Sequence, residues 1–262
     1  MRPLASWSPG QIIGVFTDID DTLTTEGAIT PDALQALADL KAAGLHVIPI
    51  TGRPVGWSEP FAQSWPVDAI VAENGAVALI HANGQPLRKL YQQDPITRET
   101  NFARMQQVLA RIERAVPGAR RAQDSAGRET DIAIDHSEFT RLPQAQIEAV
   151  VQLMQSEGMT ATVSSIHING WYGEHDKLAG ARWIVQQLWG RELDAELDHW
   201  VYVGDSTNDQ VMFQHFVHSV GVANIRRFEG QLAHPPRYIT PAERGAGFAQ
   251  LAAHLLQRLP NP

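Results

Sequence analysis

Three aspartates follow a short apolar run in Val15-Phe16-Thr17-Asp18-Ile19-Asp20-Asp21-Thr22-Leu23-Thr24. Carboxylates crowded at the end of a buried strand repel one another and lose hydration, so the arrangement is unfavourable unless a cation or a proton is shared among them. A divalent metal answers that need. The residue types also fit phosphoryl transfer, with Asp18 as a carboxylate nucleophile and Asp20, two residues on, as general acid and base. A magnesium ion held by the same carboxylates would remove the repulsion between the attacking anion and the phosphoryl group. An acidic turn after a strand would give the same run without any chemistry, since Asp and Thr are common in turns and helix caps. More distant residues weigh between the two.

Those residues are Thr51-Gly52-Arg53, Lys177 and Gly204-Asp205-Ser206-Thr207-Asn208-Asp209. Asp18, Thr51 and Asp205 each stand one or two residues past the carboxyl end of a predicted buried strand. In an open, mostly parallel sheet such ends share one edge, and ligands bind there. Lys177, at a predicted helix start, reaches the same edge. The Thr51 hydroxyl and the Lys177 ammonium suit the non-bridging oxygens of a transferring phosphoryl group, where charge must be neutralised. Asp205 would supply a second metal carboxylate, oxygen being the ligand magnesium prefers. Asn208 and Asp209 would orient Lys177 and metal-bound waters.

The positioning elements are legible from apolar pattern and caps. Residues 12–16 read as a buried strand. Thr30-Pro31-Asp32 opens a helix with apolar positions Ala33, Leu34, Leu37 and Leu40, closed by Gly44. A strand over 45–50 contains Pro49, which predicts a bulge or a site where no donor is needed. A strand over 67–71 leads into a hairpin, 76–80 turning at Asn83-Gly84. Helices near 98–116 and 143–157, with strands over 130–135, 160–164 and 166–169, break the pattern; their apolar and polar alternation predicts sheets covered on one face. After them come a helix from Asp176-Lys177, strands over 200–203, 219–222 and 238–239, and helices near 209–215 and 247–259. The expected fold class is α/β: a Rossmann-like, open, mostly parallel sheet core (1–89 and 174–262) with an inserted α+β cap domain (90–173).

The chain has 262 residues, a formal charge of −8 and no cysteine. With no basic stripe to offset the acid, nucleic acid and anionic membranes are excluded as expected partners. No disulfide framework is possible, and no segment has signal-peptide or membrane-span character. The expectation is a soluble, cytoplasmic protein, a monomer or small homo-oligomer, that takes a small phosphorylated molecule.

In their order along the chain, Asp18-Ile19-Asp20-Asp21-Thr22, Thr51-Gly52-Arg53, Lys177 and Gly204 to Asp209 resemble the four motifs of the haloacid dehalogenase-like superfamily. The insertion between the second and third motifs resembles the type IIB cap of its sugar-phosphatase branch, and Ala72-Glu73-Asn74-Gly75-Ala76 resembles the segment that follows the third core strand there. Asp21 stands where many relatives have glycine. The resemblance implies an aspartyl-phosphate on Asp18, acid and base work by Asp20, phosphate binding by Thr51 and Lys177, and magnesium on Asp18, the Asp20 carbonyl and Asp205. It implies a phosphatase for a sugar phosphate, of the kind that mannosylglycerate- and sucrose-phosphatases take, and places Asn74 and Gly75 among the substrate-binding residues. A phosphomutase of the phosphomannomutase type and a non-catalytic metal- and phosphate-binding protein are the alternatives. In the insertion, His167 and Asn169 share one strand face and can meet sugar hydroxyls, or form a plain strand face. Arg53 can meet a second anionic group or form a structural salt bridge.

Overall fold

The apolar residues ahead of Asp18 form an inner strand of a parallel sheet, and the rest of the chain is wound around it. The computed structural model describes residues 1–82 and 84–258. Strands β1 (Arg2–Pro3) and β2 (Gly14–Thr17) precede a small hairpin, β3 (Thr24–Thr25) and β4 (Ala28–Ile29). Next come α1 (Pro31–Ala42), β5 (His46–Pro49), α2 (Val55–Ser64), β6 (Ile70–Ala72), β7 (Val77–Ile80) and β8 (Arg88–Tyr91). The middle of the chain gives α3 (Pro95–Ala115), β9 (Arg120–Arg121), β10 (Ile132–Asp135), α4 (Gln144–Ser156), β11 (Thr160–Val163) and β12 (His167–Trp171). The last part supplies α5 (Lys177–Trp189), β13 (Trp200–Gly204), α6 (Gln210–His215), β14 (His218–Gly221), β15 (Tyr238–Ile239) and α7 (Arg244–Leu256).

Six strands form the main sheet in the order β1-β15-β14-β13-β2-β5, and every neighbouring pair is parallel. Alternate residues point to opposite faces, and both faces are covered. Val15, Val47, Val201 and Val203 pack with α1, α2 and α7, whereas Phe16, Ile48, Trp200 and Tyr202 pack with α5 and α6. The β6-β7-β8 sheet is antiparallel and joins the main sheet through a parallel bridge between Ile50 and Val71. This is the mostly parallel α/β core expected.

Pro49 sits in a regular strand with no donor missing. The amides of His46 and Ile50 donate inward, to Ile13 and Thr17. The odd-numbered amides point outward: that of Val47 to the Asp68 carboxylate and that of Thr51 to Val71. Pro49 belongs to the outward set, so the expected unneeded-donor position is the one found. The Asn83 half of the expected hairpin turn lies outside the described residues, as does the end of the closing helix expected to reach 259.

Helix α2 has no counterpart in the sequence reading. Pro54 precedes it and Pro60 interrupts it, which disguised it. Its signal was the spacing of Trp57, Phe61 and Trp65, whose rings meet in turn at tilted angles with centroids 4.5 and 4.7 Å apart. Helix α3 begins at Pro95, earlier than expected, because the Asp94 side chain caps it and proline suits its first position.

Helices α3 and α4 and the four-stranded sheet β11-β12-β10-β9 enclose a separate apolar cluster that includes Met105, Ile112, Ile134, Val150, Met154 and Ile168. The expectation that this sheet has one covered face is corrected. All of β10 and β12 is buried, because their polar face lies over the core: Asn169 of β12 donates to the Gly52 carbonyl at 3.2 Å, and beside it the Thr207 hydroxyl donates to the Val163 carbonyl of β11 at 2.6 Å.

Helix α5 is seated by glycines. Gly75 has φ 107°, and a Cβ there would lie 2.1 Å from the Asp176 carbonyl oxygen. A Cβ on Gly180 would in turn stand 2.6 Å from the Gly75 Cα. The contact fixes the first turn of α5, where Lys177 begins. Gly75→Ala is expected to destabilise the protein by about 2 to 4 kcal/mol, from left-handed backbone strain plus overpacking. Urea denaturation of the purified variant checks this, and an unchanged midpoint would contradict it.

Candidate active site

Three strands of the main sheet end side by side in polar residues. Asp18 follows β2, and its amide donates to the Val203 carbonyl of β13 at 2.8 Å. Asp205 follows β13 itself. Thr51 lies two residues past β5, anchored by the bond from its amide to Val71 at 2.9 Å. Lys177 comes to the same edge from the first turn of α5, whose capping residue Asp176 accepts from the Ala179 amide at 2.7 Å. All four are buried.

Lys177 Nζ donates to Asp18 at 2.6 Å and to Asp209 at 2.7 Å. Asp209 also accepts from the Tyr202 hydroxyl at 2.5 Å and from the amides of Asp205 and Ser206 at 2.9 and 3.1 Å. Of the two residues expected to orient Lys177, Asp209 is thus in direct contact with it. Asn208 does not touch Lys177, since its side-chain oxygen accepts from the Ser206 hydroxyl at 2.8 Å. Asp205 accepts from the Asn224 amide group at 3.0 Å through one oxygen, while its other oxygen is buried with no partner.

Electrostatics match this geometry. Burial pushes the Asp18 carboxyl up to about 7 in spite of the adjacent ammonium. Burial, then the Asp18 and Asp209 carboxylates, push Asp205 well above the usual carboxylate range. Burial disfavours charge on Lys177, yet Asp18 and Asp209 hold it above the ordinary lysine value. Carboxylate oxygens of Asp18, Asp205 and Asp209 lie within 4.8 Å of one another. A buried carboxylate oxygen without a donor, beside further acids, suits a divalent cation. Asp209 is already saturated by its donors, so Asp18 and Asp205 are the side chains with capacity for one.

Asn74 stands in the left-handed region at φ 55°, with its amide donating to the Thr51 carbonyl at 2.9 Å. Its side-chain Nδ2 is buried without a partner, beside Gly52. Gly75, by contrast, is committed to the contact with α5. His167 and Asn169 share a face, as expected, but their polar atoms are engaged inside the protein. His167 pairs with Glu138 at 2.9 Å, and Asn169 donates to Asp131 at 2.9 Å and to Gly52. Arg53 is held by acids: Nε donates to both oxygens of Asp20 at 3.0 Å, and the outer nitrogens reach Asp124 at 3.1 Å and Glu138 at 2.7 Å. A cavity of about 510 Å³ opens beside these groups, walled by Asp20, Arg53 and Arg244 on the core side and by Ser137, Glu138 and Phe139 opposite.

Several residues escaped the sequence reading. Tyr202 braces Lys177 and Asp209 from within β13. Glu73 is buried and accepts from the amides of Val55, Glu129 and Thr130, tying the start of α2 to the segment ahead of β10. Arg128 donates to the Gly52 carbonyl at 3.0 Å and pairs with Asp131 and Asp124. The clue for Glu73 was an acid near the strand end with no strand or helix role of its own.

Glu138 links the two layers. Burial would raise its pKa, but the hydrogen bond from His167 and the Arg53 guanidinium outweigh it and hold it at about 2, below the ordinary 4.5. A carboxyl depressed on folding stabilises the native state above its unfolded pKa and loses that contribution as pH falls through its folded one. Glu138→Gln is therefore expected to lower Tm most at neutral pH, with the difference from wild type shrinking as pH falls from about 4.5 towards 2. Thermal melts across that range check it, and a difference independent of pH would contradict it.

Residues 15–114 match a family model described as haloacid dehalogenase-like hydrolase. Among solved structures, a Thermoplasma acidophilum protein superposes with a TM-score of 0.70 at 17% identity, covering 94% of this chain and 99% of that one. The sucrose-phosphatase of a Synechocystis species, solved with sucrose and phosphate, gives 0.64 at 15% identity over 94% and 98%. A sugar phosphatase of subclass IIB of the superfamily gives 0.61 at 15% identity over 92% and 98%. No curated protein matches the sequence. No helix among the described residues is long and apolar enough to cross a membrane.

Proposed function

We propose that this chain, a haloacid dehalogenase-like hydrolase by its fold and its matched segment, is a magnesium-dependent phosphatase for a small phosphomonoester, a sugar phosphate above all. The observation that carries the reading is the convergence of Asp18, Lys177 and Asp205 at one buried strand edge, with an unpaired Asp205 oxygen and an unpaired Asn74 amide facing no protein partner. In this reading the layer built on α3 and α4, 90–173, is the cap over a core of 1–89 and 174–262. The sucrose-phosphatase and sugar-phosphatase folds support the choice of substrate class.

The oxygen of Asp18 not held by Lys177 attacks phosphorus, and the bond from phosphorus to the leaving oxygen breaks. Asp20 gives that oxygen its proton. Water then attacks the aspartyl-phosphate while Asp20 takes a proton from it, which returns Asp18 and releases phosphate. Lys177, fixed by Asp209 and Tyr202, and the Thr51 hydroxyl hold the non-bridging oxygens, and Asn74 adds a donor to the same rim. Magnesium on Asp18, Asp205 and the Asp20 carbonyl would neutralise charge on the phosphoryl group. Asp205 and Asp18, which burial holds towards the protonated form, would be its side-chain ligands.

Phosphate release from a panel of sugar phosphates, with magnesium and with chelator, tests the proposal. Wild type should release phosphate from at least one of them with magnesium and from none with chelator. Asp18→Asn should abolish release while circular dichroism stays native. Full activity in that variant would remove Asp18 as nucleophile. Magnesium at about one hundred times its dissociation constant should stabilise wild type by about 2.7 kcal/mol, and Asp205→Asn should lose most of that gain.

A further inference from the structure

We propose that Arg53 is the positioning residue for Asp20 and is itself held in place by two carboxylates of the cap, Asp124 and Glu138. The inference rests on the phosphatase reading and deepens it, assigning the group that aligns the proton donor.

Arg53 is 4% exposed, and every nitrogen of its guanidinium faces a carboxylate. Nε donates to both oxygens of Asp20 at 3.0 Å, with Nη2 2.9 Å from one of them. Nη1 lies 3.1 Å from Asp124, and Nη2 lies 2.7 Å from Glu138. The rigid guanidinium fork fixes the rotation of a carboxylate whose two oxygens it meets together. Trp57 backs the guanidinium at 4.9 Å. With three acids already around it, Arg53 has no unengaged face for an anionic part of the substrate.

The cap carboxylates are anchored in their turn. Glu138 is held by His167 at 2.9 Å, and Asp124 by Arg128 at 3.1 Å. Arg128 and Asn169 both donate to the Gly52 carbonyl, next to Arg53 in the chain. The grip on Arg53 therefore exists only while the cap sits on the core. Asp20 lines the 510 Å³ cavity, which in this proposal receives the leaving group of a phosphomonoester held at Asp18. Cap contact and alignment of the proton donor become one event, and proton transfer from Asp20 to the leaving oxygen is confined to the covered site.

The test uses leaving groups that differ in their need for a proton. An alkoxide must be protonated as it departs, whereas p-nitrophenolate leaves without help. Turnover of p-nitrophenyl phosphate is compared with that of the fastest of glucose 6-phosphate, mannose 6-phosphate and glycerol 3-phosphate. Arg53→Met should lower the single-turnover rate of leaving-group release from the alkyl ester by about 10²-fold or more, the scale of general acid catalysis, and that from p-nitrophenyl phosphate by less than about tenfold; the later hydrolysis step, in which Asp20 serves both esters alike, does not enter this rate. KM for the alkyl ester should stay within about threefold, because no ground-state contact is lost. Asp20→Asn should show the same selectivity, and Arg53→Met should add little to it. Arg53→Lys should recover part of the loss. The Asp124→Asn, Glu138→Gln double variant keeps Arg53 and should show the selective loss in weaker form; it carries the test if Arg53→Met fails to fold. Equal loss on both ester classes, or a raised KM with kcat unchanged, overturns the proposal, as does wild type that turns over only p-nitrophenyl phosphate. Wild type inactive on both classes overturns the phosphatase reading itself, and this inference with it.

Discussion

The structure depends on a concentration of negative charge that burial makes expensive to maintain. Asp18, Asp205 and Asp209 meet at the end of β2 and β13 with one ammonium, Lys177, among them. Carboxylates so placed favour the protonated form unless donors or cations compensate. Much of the surrounding fold supplies that compensation. Two backbone amides and the Tyr202 hydroxyl point at Asp209, and Asn224 reaches across from the loop after β14 to Asp205. One Asp205 oxygen is left over. That residual deficit is the physical reason to place a divalent cation there, and it connects an all-parallel sheet to a chemistry of phosphate.

The parallel sheet is what makes the gathering possible. Since β2, β5 and β13 all run the same way, residues 18, 51 and 205, remote in sequence, emerge on one edge. The seating of α5 against Gly75 then delivers Lys177 from the side. A second layer lies over this edge, and it touches Gly52 and Arg53, just after Thr51, as well as Glu73 and Thr207. The strand end that would bind phosphate in the proposed reading thus also carries part of the second layer's seat, which would make that chemistry sensitive to what covers it.

How far the sequence could be read follows from the range of the interactions. Buried strands, the Thr30-Pro31 helix start and the acidic strand ends are local patterns, and they carried the core fold, the inner edge and the outward-facing Pro49. Helix α2 was lost because Pro54 and Pro60 speak against a helix more loudly than the Trp57, Phe61, Trp65 spacing speaks for one. Glu73, Arg128 and Tyr202 act through partners 56, 76 and 25 positions away, and no local pattern announces such pairs. For the same reason His167 and Asn169 read as a ligand-facing pair or a bare strand face. Glu138 and Asp131 reach them from the segments flanking β10, which pairs with β12 across more than thirty positions of chain, and Gly52 reaches Asn169 only by the docking of one layer on the other.

In the phosphatase reading, one carboxylate, that of Asp18, takes the phosphoryl group at this rim. The most direct measurement is to quench the enzyme in acid during turnover of a labelled phosphomonoester and locate the label by peptide mass spectrometry. A single phosphoryl group is expected on the peptide that contains Asp18, lost on treatment with hydroxylamine as an acyl phosphate is. Label on any other residue, or steady turnover in which no phosphorylated protein forms even when hydrolysis of the adduct is slowed, would contradict that reading.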